Sequence, residues 1–130
     1  MSIEEEILKS SQVIAVVGLS LDPGRPSHSV ANYLKKNGYR IIPVNPEAER
    51  ILGEVCYPDL VSIPESVDVV DIFRRAEEVP AIVDEAIKIG TKVVWMQEGV
   101  INEEAAARAM KAGLLVVMNK CMRKEHQKLE

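Results

Sequence analysis

The residues whose types and spacing could do chemistry fall in five short stretches. The first, VVGLSLDPGRPSHSV (residues 16–30), sets Gly18 after an apolar run and follows it with Ser20, Arg25, Pro26 and Ser27. Glycine lets the backbone turn sharply after a buried strand. Backbone N–H groups near Ser27 and His28 would open a helix, and an exposed helix start attracts anions. The serine hydroxyls and the Arg25 charge suit the same ligand, so the stretch reads as a phosphate-holding turn. Its spacing departs from the dinucleotide fingerprint G-x-G-x-x-G, because Gly24 comes only after Asp22 and Pro23. A rigid capped turn would use several of the same residue types.

The other four stretches test which phosphate compound is meant. IIPVNP ends on Val44, Asn45 and Pro46, with Glu47 only afterwards. A NAD site usually has an acid at that strand end to bond the ribose hydroxyls, and this strand end lacks it. DIFRR sets the flat face of Phe73 beside Arg74 and Arg75, with Asp71 expected near the strand's edge. Arginines grip phosphates bidentately, although these two could instead pair with Glu77 and Glu78. WMQEGV places Trp95 and Met96 in the core and Gln97, Glu98 and Gly99 in a loop, where Gly99 either admits a ligand or shapes the turn. NKCMRKEH clusters Cys121 with His126, but five residues on a helix do not place two side chains on one face. His28 and His126 are the only histidines and neither has a C-x-x-C partner, so no metal site is assigned. No catalytic constellation emerges. Lys120 beside Cys121 keeps a redox role open.

These stretches all sit at the ends of strand-like runs. VIAVVG, YRIIPVNP, VDVVDIF, KVVWMQEG and LLVVMN read as five strands. Between them, SHSVANYLKKNG, EEVPAIVDEAIKIG and NEEAAARAMKAG show apolar residues at helical spacing and end on Gly38, Gly90 and Gly113. A helical tail is expected over residues 121–130. The proline-rich link from Pro46 to Ser66 lacks a full crossover helix and reads as a short helical turn with an edge segment. Alternating strands and helices specify an α/β fold: a doubly wound, mostly parallel five-stranded sheet in one domain over residues 1–130. Ligands of such sheets sit beyond the carboxyl ends of the strands.

Composition narrows the classes. Hydrophobic residues make up 47% of the 130, with aromatics at 4%, so the core is aliphatic, as strands buried on both faces require. A net charge of -4 argues against a nucleic-acid surface. Two cysteines, Cys56 and Cys121, cannot make a disulfide scaffold. The start, MSIEEEILKSS, is no signal peptide, and no apolar run spans a bilayer. A cytoplasmic, membrane-free protein is the expectation.

Taken in order, VVGLSLDPGRPSH, IIPVNP, ILGEVCYPDL, VDIFRRAEEVP, VVWMQEGV and LLVVMNKCMRKEH resemble the small stand-alone CoA-binding proteins. That Rossmann-like family is related to the CoA-binding domain of the succinyl-CoA synthetase α subunit. The resemblance covers almost the whole chain and implies coenzyme A as the ligand. By it, Gly18 and Ser20 line the phosphate turn and Arg25 and Ser27 approach the ligand. Val44, Asn45 and Pro46 contact the nucleotide half, Phe73 and Arg74 stand beside adenine or phosphate, and Gln97 and Gly99 face the pantetheine arm. The 3′-phosphate of CoA also suits a second strand end without a carboxylate. The expected function is binding of CoA or acyl-CoA with no reaction of its own, and ligase chemistry is not expected. A homodimer and a separate CoA-using enzyme stand as partners to test. Two other readings stay open: a nicotinamide-dependent oxidoreductase, and a redox adaptor forming a mixed disulfide with CoA.

Overall fold

Five apolar runs of three to five residues become the strands of one parallel sheet. The structure is a computed structural model and describes residues 2–129. In chain order the elements are α1 (Ile3–Ser10), β1 (Val13–Val17), α2 (Pro26–Lys36), β2 (Arg40–Val44), β3 (Arg50–Ile51), β4 (Glu54–Val55), β5 (Val69–Ile72), α3 (Val79–Ile89), β6 (Val93–Met96), α4 (Glu103–Lys111), β7 (Leu115–Val117) and α5 (Met122–Gln127). The sheet order is β2-β1-β5-β6-β7, every pair parallel. The expected doubly wound α/β fold is therefore what the chain adopts.

Residues alternate between the two faces, as the pleat requires. Ala15, Val17, Ile42, Val70, Ile72, Val94 and Met96 pack with Val83 and Ala86 of α3 and Ala105 and Ala109 of α4. Ile14, Val16, Ile41, Val69, Val93 and Trp95 pack with α1, α2 and α5 through Ile7, Leu8, Val30, Leu34 and Met122. Trp95 is fully buried, and its indole N–H donates to the Lys120 carbonyl at 2.8 Å.

The link after β2 holds the expected edge segment. Tyr57 bridges Val44 in parallel, its N–H donating to the Pro43 carbonyl at 3.0 Å and its carbonyl accepting from Asn45 at 2.9 Å. Pro43 can stand in β2 because its ring nitrogen points to this sparsely bonded side of the strand. Ahead of Tyr57 the expected helical turn is replaced by a hairpin of β3 and β4, whose turn residues Leu52 and Gly53 both have positive φ (55° and 76°), a primed turn that suits strand twist.

Two further expectations change. Helix α1 was not among the expected elements; Ser2 caps it by accepting from the Glu5 N–H at 3.2 Å, and Ile7 and Leu8 anchor it. Asp71 is not at an edge. It lies in the middle of the sheet, in register with Val16 and Trp95, fully buried, with neither carboxylate oxygen bonded among the described residues. The helical tail is present as α5; residue 130 lies outside the described residues.

Candidate functional site

The sheet's carboxyl edge opens where β1 and β5 part their following helices to opposite faces, the switch point at which such sheets take ligands. The β1–α2 turn begins at Gly18. Its N–H extends the ladder to the Val44 carbonyl at 3.0 Å, and its φ is +87°. A Cβ there would collide with the Phe73 carbonyl oxygen and sit 2.7 Å from the Arg74 side chain. Only glycine lets the turn cross the end of β5 this closely.

The rest of the loop is internally bonded. Ser20 Oγ accepts from the Asp22 N–H at 3.0 Å, and Asp22 Oδ1 accepts from the Gly24 N–H at 2.9 Å. Asp22 and Pro23 thus shape an exposed bend and do not face the cavity beneath. The Ser27 hydroxyl accepts from the Ser20 N–H at 3.0 Å, tying the loop to the first turn of α2. Pro26 opens that helix without an N–H, and Arg25 at the N-cap makes no side-chain capping bond. The Ser27 N–H has no protein acceptor among the described residues, so the helix start is open to an anion.

A cavity of about 910 Å³ lies over this turn. Gly18, Ser20, Arg25 and Ser27 form one wall and Asn45 another. Phe73 and Arg74 come from the end of β5, Gln97 from the end of β6, and Cys121 with Arg123 from the segment after β7. Eight of the eleven expected site residues therefore converge: Gly18, Ser20, Arg25, Ser27, Asn45, Phe73, Arg74 and Gln97. Val44 and Pro46 line an adjoining cavity of about 310 Å³, with Leu60 and Ile82 as apolar walls and Gly18, Arg74 and Glu78 shared with the larger one. Gly99 lines neither; its φ of +88° and its N–H bond to Asn119 Oδ1 at 2.8 Å serve the turn after β6.

The polar groups are partly committed. Asn45 donates to the Leu19 carbonyl at 3.0 Å and accepts from the Glu47 N–H at 2.8 Å, so it fastens two loops together. Glu47 itself reaches the larger cavity, so a carboxylate does stand beyond β2, one turn later than a NAD site would place it. Gln97 is buried and accepts from the Met122 N–H at 3.1 Å; its Nε2 has no protein partner among the described residues. Arg74 pairs with Glu78 at 2.8 Å, and Arg75 lies 3.3 Å from both Glu77 and Glu78. The surface pairing weighed for these arginines is thus present, and the Arg74 hydrogen bond holds the Glu78 carboxyl below its ordinary range. Lys124 pairs with Glu98 at 3.0 Å, which raises its ammonium pKa.

Cys121 is buried at the cavity wall, whereas Cys56 lies outside both cavities, its Sγ 3.3 Å from the Asn45 carbonyl and its thiol pKa raised by burial. His126 Nδ1 is 2.7 Å from the Tyr33 hydroxyl, an engagement that ties it to α2. Sequence reasoning left out of the site Arg123, Glu98, Lys124, Val30 and Val100, all of which line the larger cavity. The cationic stretch after the fifth strand was the only local signal for Arg123 and Lys124.

A glycine turn at the switch point, an open helix start and a cavity lined by several cations belong to a Rossmann-like domain. The match to known proteins names it: the model of a CoA binding domain family covers residues 12–127, and the chain belongs to that family. It is 40% identical to the Bacillus subtilis protein YneT over 94% of this chain and 90% of that one. It is 37% identical to an ADP-forming acetate–CoA ligase of Archaeoglobus fulgidus over 70% of this chain, which is 14% of the ligase. A solved structure from Pyrococcus horikoshii superposes with a TM-score of 0.95 at 44% identity, over 97% of this chain and 89% of that one.

Proposed function

We propose that the protein binds coenzyme A across the two cavities and runs no reaction of its own. The observation that supports this best is the Gly18 crossing. It brings Gly18 against Phe73 and Arg74 at the carboxyl ends of β1 and β5, where Gly18, Arg74 and Glu78 line both an apolar recess and the larger cavity. CoA has matching parts in that order. Its adenine fits the recess walled by Val44, Pro46 and Ile82, its 3′-phosphate meets Arg74, and its pyrophosphate lies at the start of α2. The pantetheine arm then runs past Gln97 Nε2 toward Cys121. The cavity of about 910 Å³ is within the range of small-molecule sites.

Isothermal titration of the folded protein with CoA, acetyl-CoA, NAD and NADP tests the reading. CoA or acetyl-CoA should bind most tightly. Absence of heat with both, or tighter binding of either nicotinamide cofactor, overturns it. Glu47 in the cavity makes the NAD arm a real competitor. Native mass spectrometry of the purified protein adds the identity of any copurified ligand and the number of copies per assembly.

A further inference from the structure

The cations of the larger cavity are not equivalent. Arg74, Arg75 and Lys124 each stand within ion-pair distance of a carboxylate, at 2.8 Å, 3.3 Å and 3.0 Å. Arg25 and Arg123 have no such carboxylate among the described residues. Arg25 is exposed, but Arg123 is half-buried. A charged group withdrawn from water without a partner is unfavourable unless something else supplies the opposite charge.

Arg123 is also held in place. Its Nη1 donates to Ser29 Oγ at 2.9 Å, across a sequence separation of 94 residues. Ser29 belongs to the first turn of α2, where its N–H bonds the Arg25 carbonyl at 3.2 Å. One hydrogen bond therefore fixes the Arg123 guanidinium to the turn that Arg25 begins. A guanidinium has five N–H donors in a planar fork, so this bond leaves most of them for the cavity. The open Ser27 N–H lies in the same turn.

We propose that Arg123, oriented by Ser29, acts with Arg25 as a clamp on a pyrophosphate diester. Arg123 offers its fork to one phosphoryl group, Arg25 neutralises the other, and the Ser27 N–H completes the cradle. Arg123 is thereby a binding residue and Ser29 a positioning residue. The inference rests on the CoA reading of the site and names the two residues that hold the ligand's pyrophosphate. Arg74, already neutralised by Glu78, is left for the 3′-phosphate.

Titrating CoA and dephospho-CoA (which keeps the pyrophosphate and lacks the 3′-phosphate) against wild type, Arg123→Gln, Arg123→Lys, Arg25→Gln, Ser29→Ala and Ser29→Thr tests the clamp. Arg123→Gln should weaken both ligands by the same factor, about ten- to hundredfold. Arg123→Lys, which keeps charge but loses the fork, should fall between it and wild type. Ser29→Ala should weaken both ligands severalfold with Ser29→Thr restoring affinity, and ligand-free melting should fall in none of the variants, with Arg123→Gln equal to or above wild type because it removes an unpaired charge. Wild-type affinity in Arg123→Gln, or loss confined to CoA, overturns the clamp while leaving the CoA reading intact. Wild type that binds CoA but not dephospho-CoA overturns the pyrophosphate as the anchoring group. Wild type that binds neither overturns the CoA reading itself.

Discussion

Asp71→Asn should make the protein more stable at neutral pH, and the gain should grow with pH. Asp71 is fully buried on the central strand β5, with both carboxylate oxygens unbonded among the described residues. Burial pushes its pKa well above the ordinary carboxylate value, because the charged form would lose its hydration and gain no partner. A group whose folded pKa is raised stabilises the fold below the unfolded pKa of about 3.9 and loses that contribution as pH rises through the folded value. Within that window the folded state binds about one proton more than the unfolded chain. Wild-type stability therefore falls by about 1.4 kcal/mol per pH unit relative to the Asp71→Asn variant, whose amide has nothing to titrate. From pH 4 to pH 6 the gap should widen by up to about 2.4 kcal/mol, because the unfolded carboxyl is already about half ionised at pH 4. Glu54, Glu65 and Glu78 have lowered pKa values from hydrogen bonds to Lys35, Arg40 and Arg74 respectively, and act in the opposite sense as pH falls. They are common to both proteins and cancel in the difference. Urea unfolding followed by circular dichroism at half-unit pH steps measures the gap. A gap that stays constant between pH 4 and pH 6 would refute the buried, unpartnered carboxyl.

Gly18→Ala should destabilise the fold by at least about 1–2 kcal/mol from its φ of +87° alone, with CoA binding lost as Phe73 and Arg74 are pushed aside. Thermal melting and titration check this, and a variant with parental stability contradicts the close crossing. Arg74→Ala should weaken CoA by about 1.5 kcal/mol, the low end for bonds to charged groups because the Glu78 pair is given up in exchange. Dephospho-CoA should be barely affected; equal loss of both ligands would remove Arg74 from the 3′-phosphate. Incubation with the disulfide dimer of CoA should add one CoA to the intact mass, as the Cys121 thiolate attacks one sulfur and free CoA leaves. The adduct should vanish in Cys121→Ser and survive in Cys56→Ser; its persistence in Cys121→Ser rules out the mixed disulfide at the cavity wall.

The legible parts of the fold were those where a local rule and the tertiary structure agree. The strand runs VIAVV, VVDI and VVWM are apolar almost throughout because both faces are covered, and Gly90 stops α3 with φ +74°. Helix α1 escaped notice because three consecutive glutamates hid the few apolar residues that dock it. Its Ser2-x-x-Glu5 start is a capping signature and was the available signal. Asp71 defeated the reading from polarity: an acid in an apolar run suggests an edge, and nothing local announces that neighbouring strands bury it.

The site divides along the same line. Residues at strand ends and the first turn converge because topology alone sends them to one rim, so Gly18, Ser20, Asn45, Phe73 and Gln97 follow from their places in sequence. Charge pairing does not follow from place. Arg74 and Arg75, beside an aromatic at a strand end, were as ready to pair with Glu77 and Glu78 as to hold a phosphate, and place alone did not choose between the two. The same local proximity brings Glu77 and Glu78 within reach of them. Arg123 looked like one cation among several in a polar tail, yet its anchor, Ser29, lies at the other end of the chain. A ligand's charge is met most effectively by cations that the protein has not already neutralised. Finding them requires knowing every carboxylate within reach, a property of the folded surface that no sequence window contains.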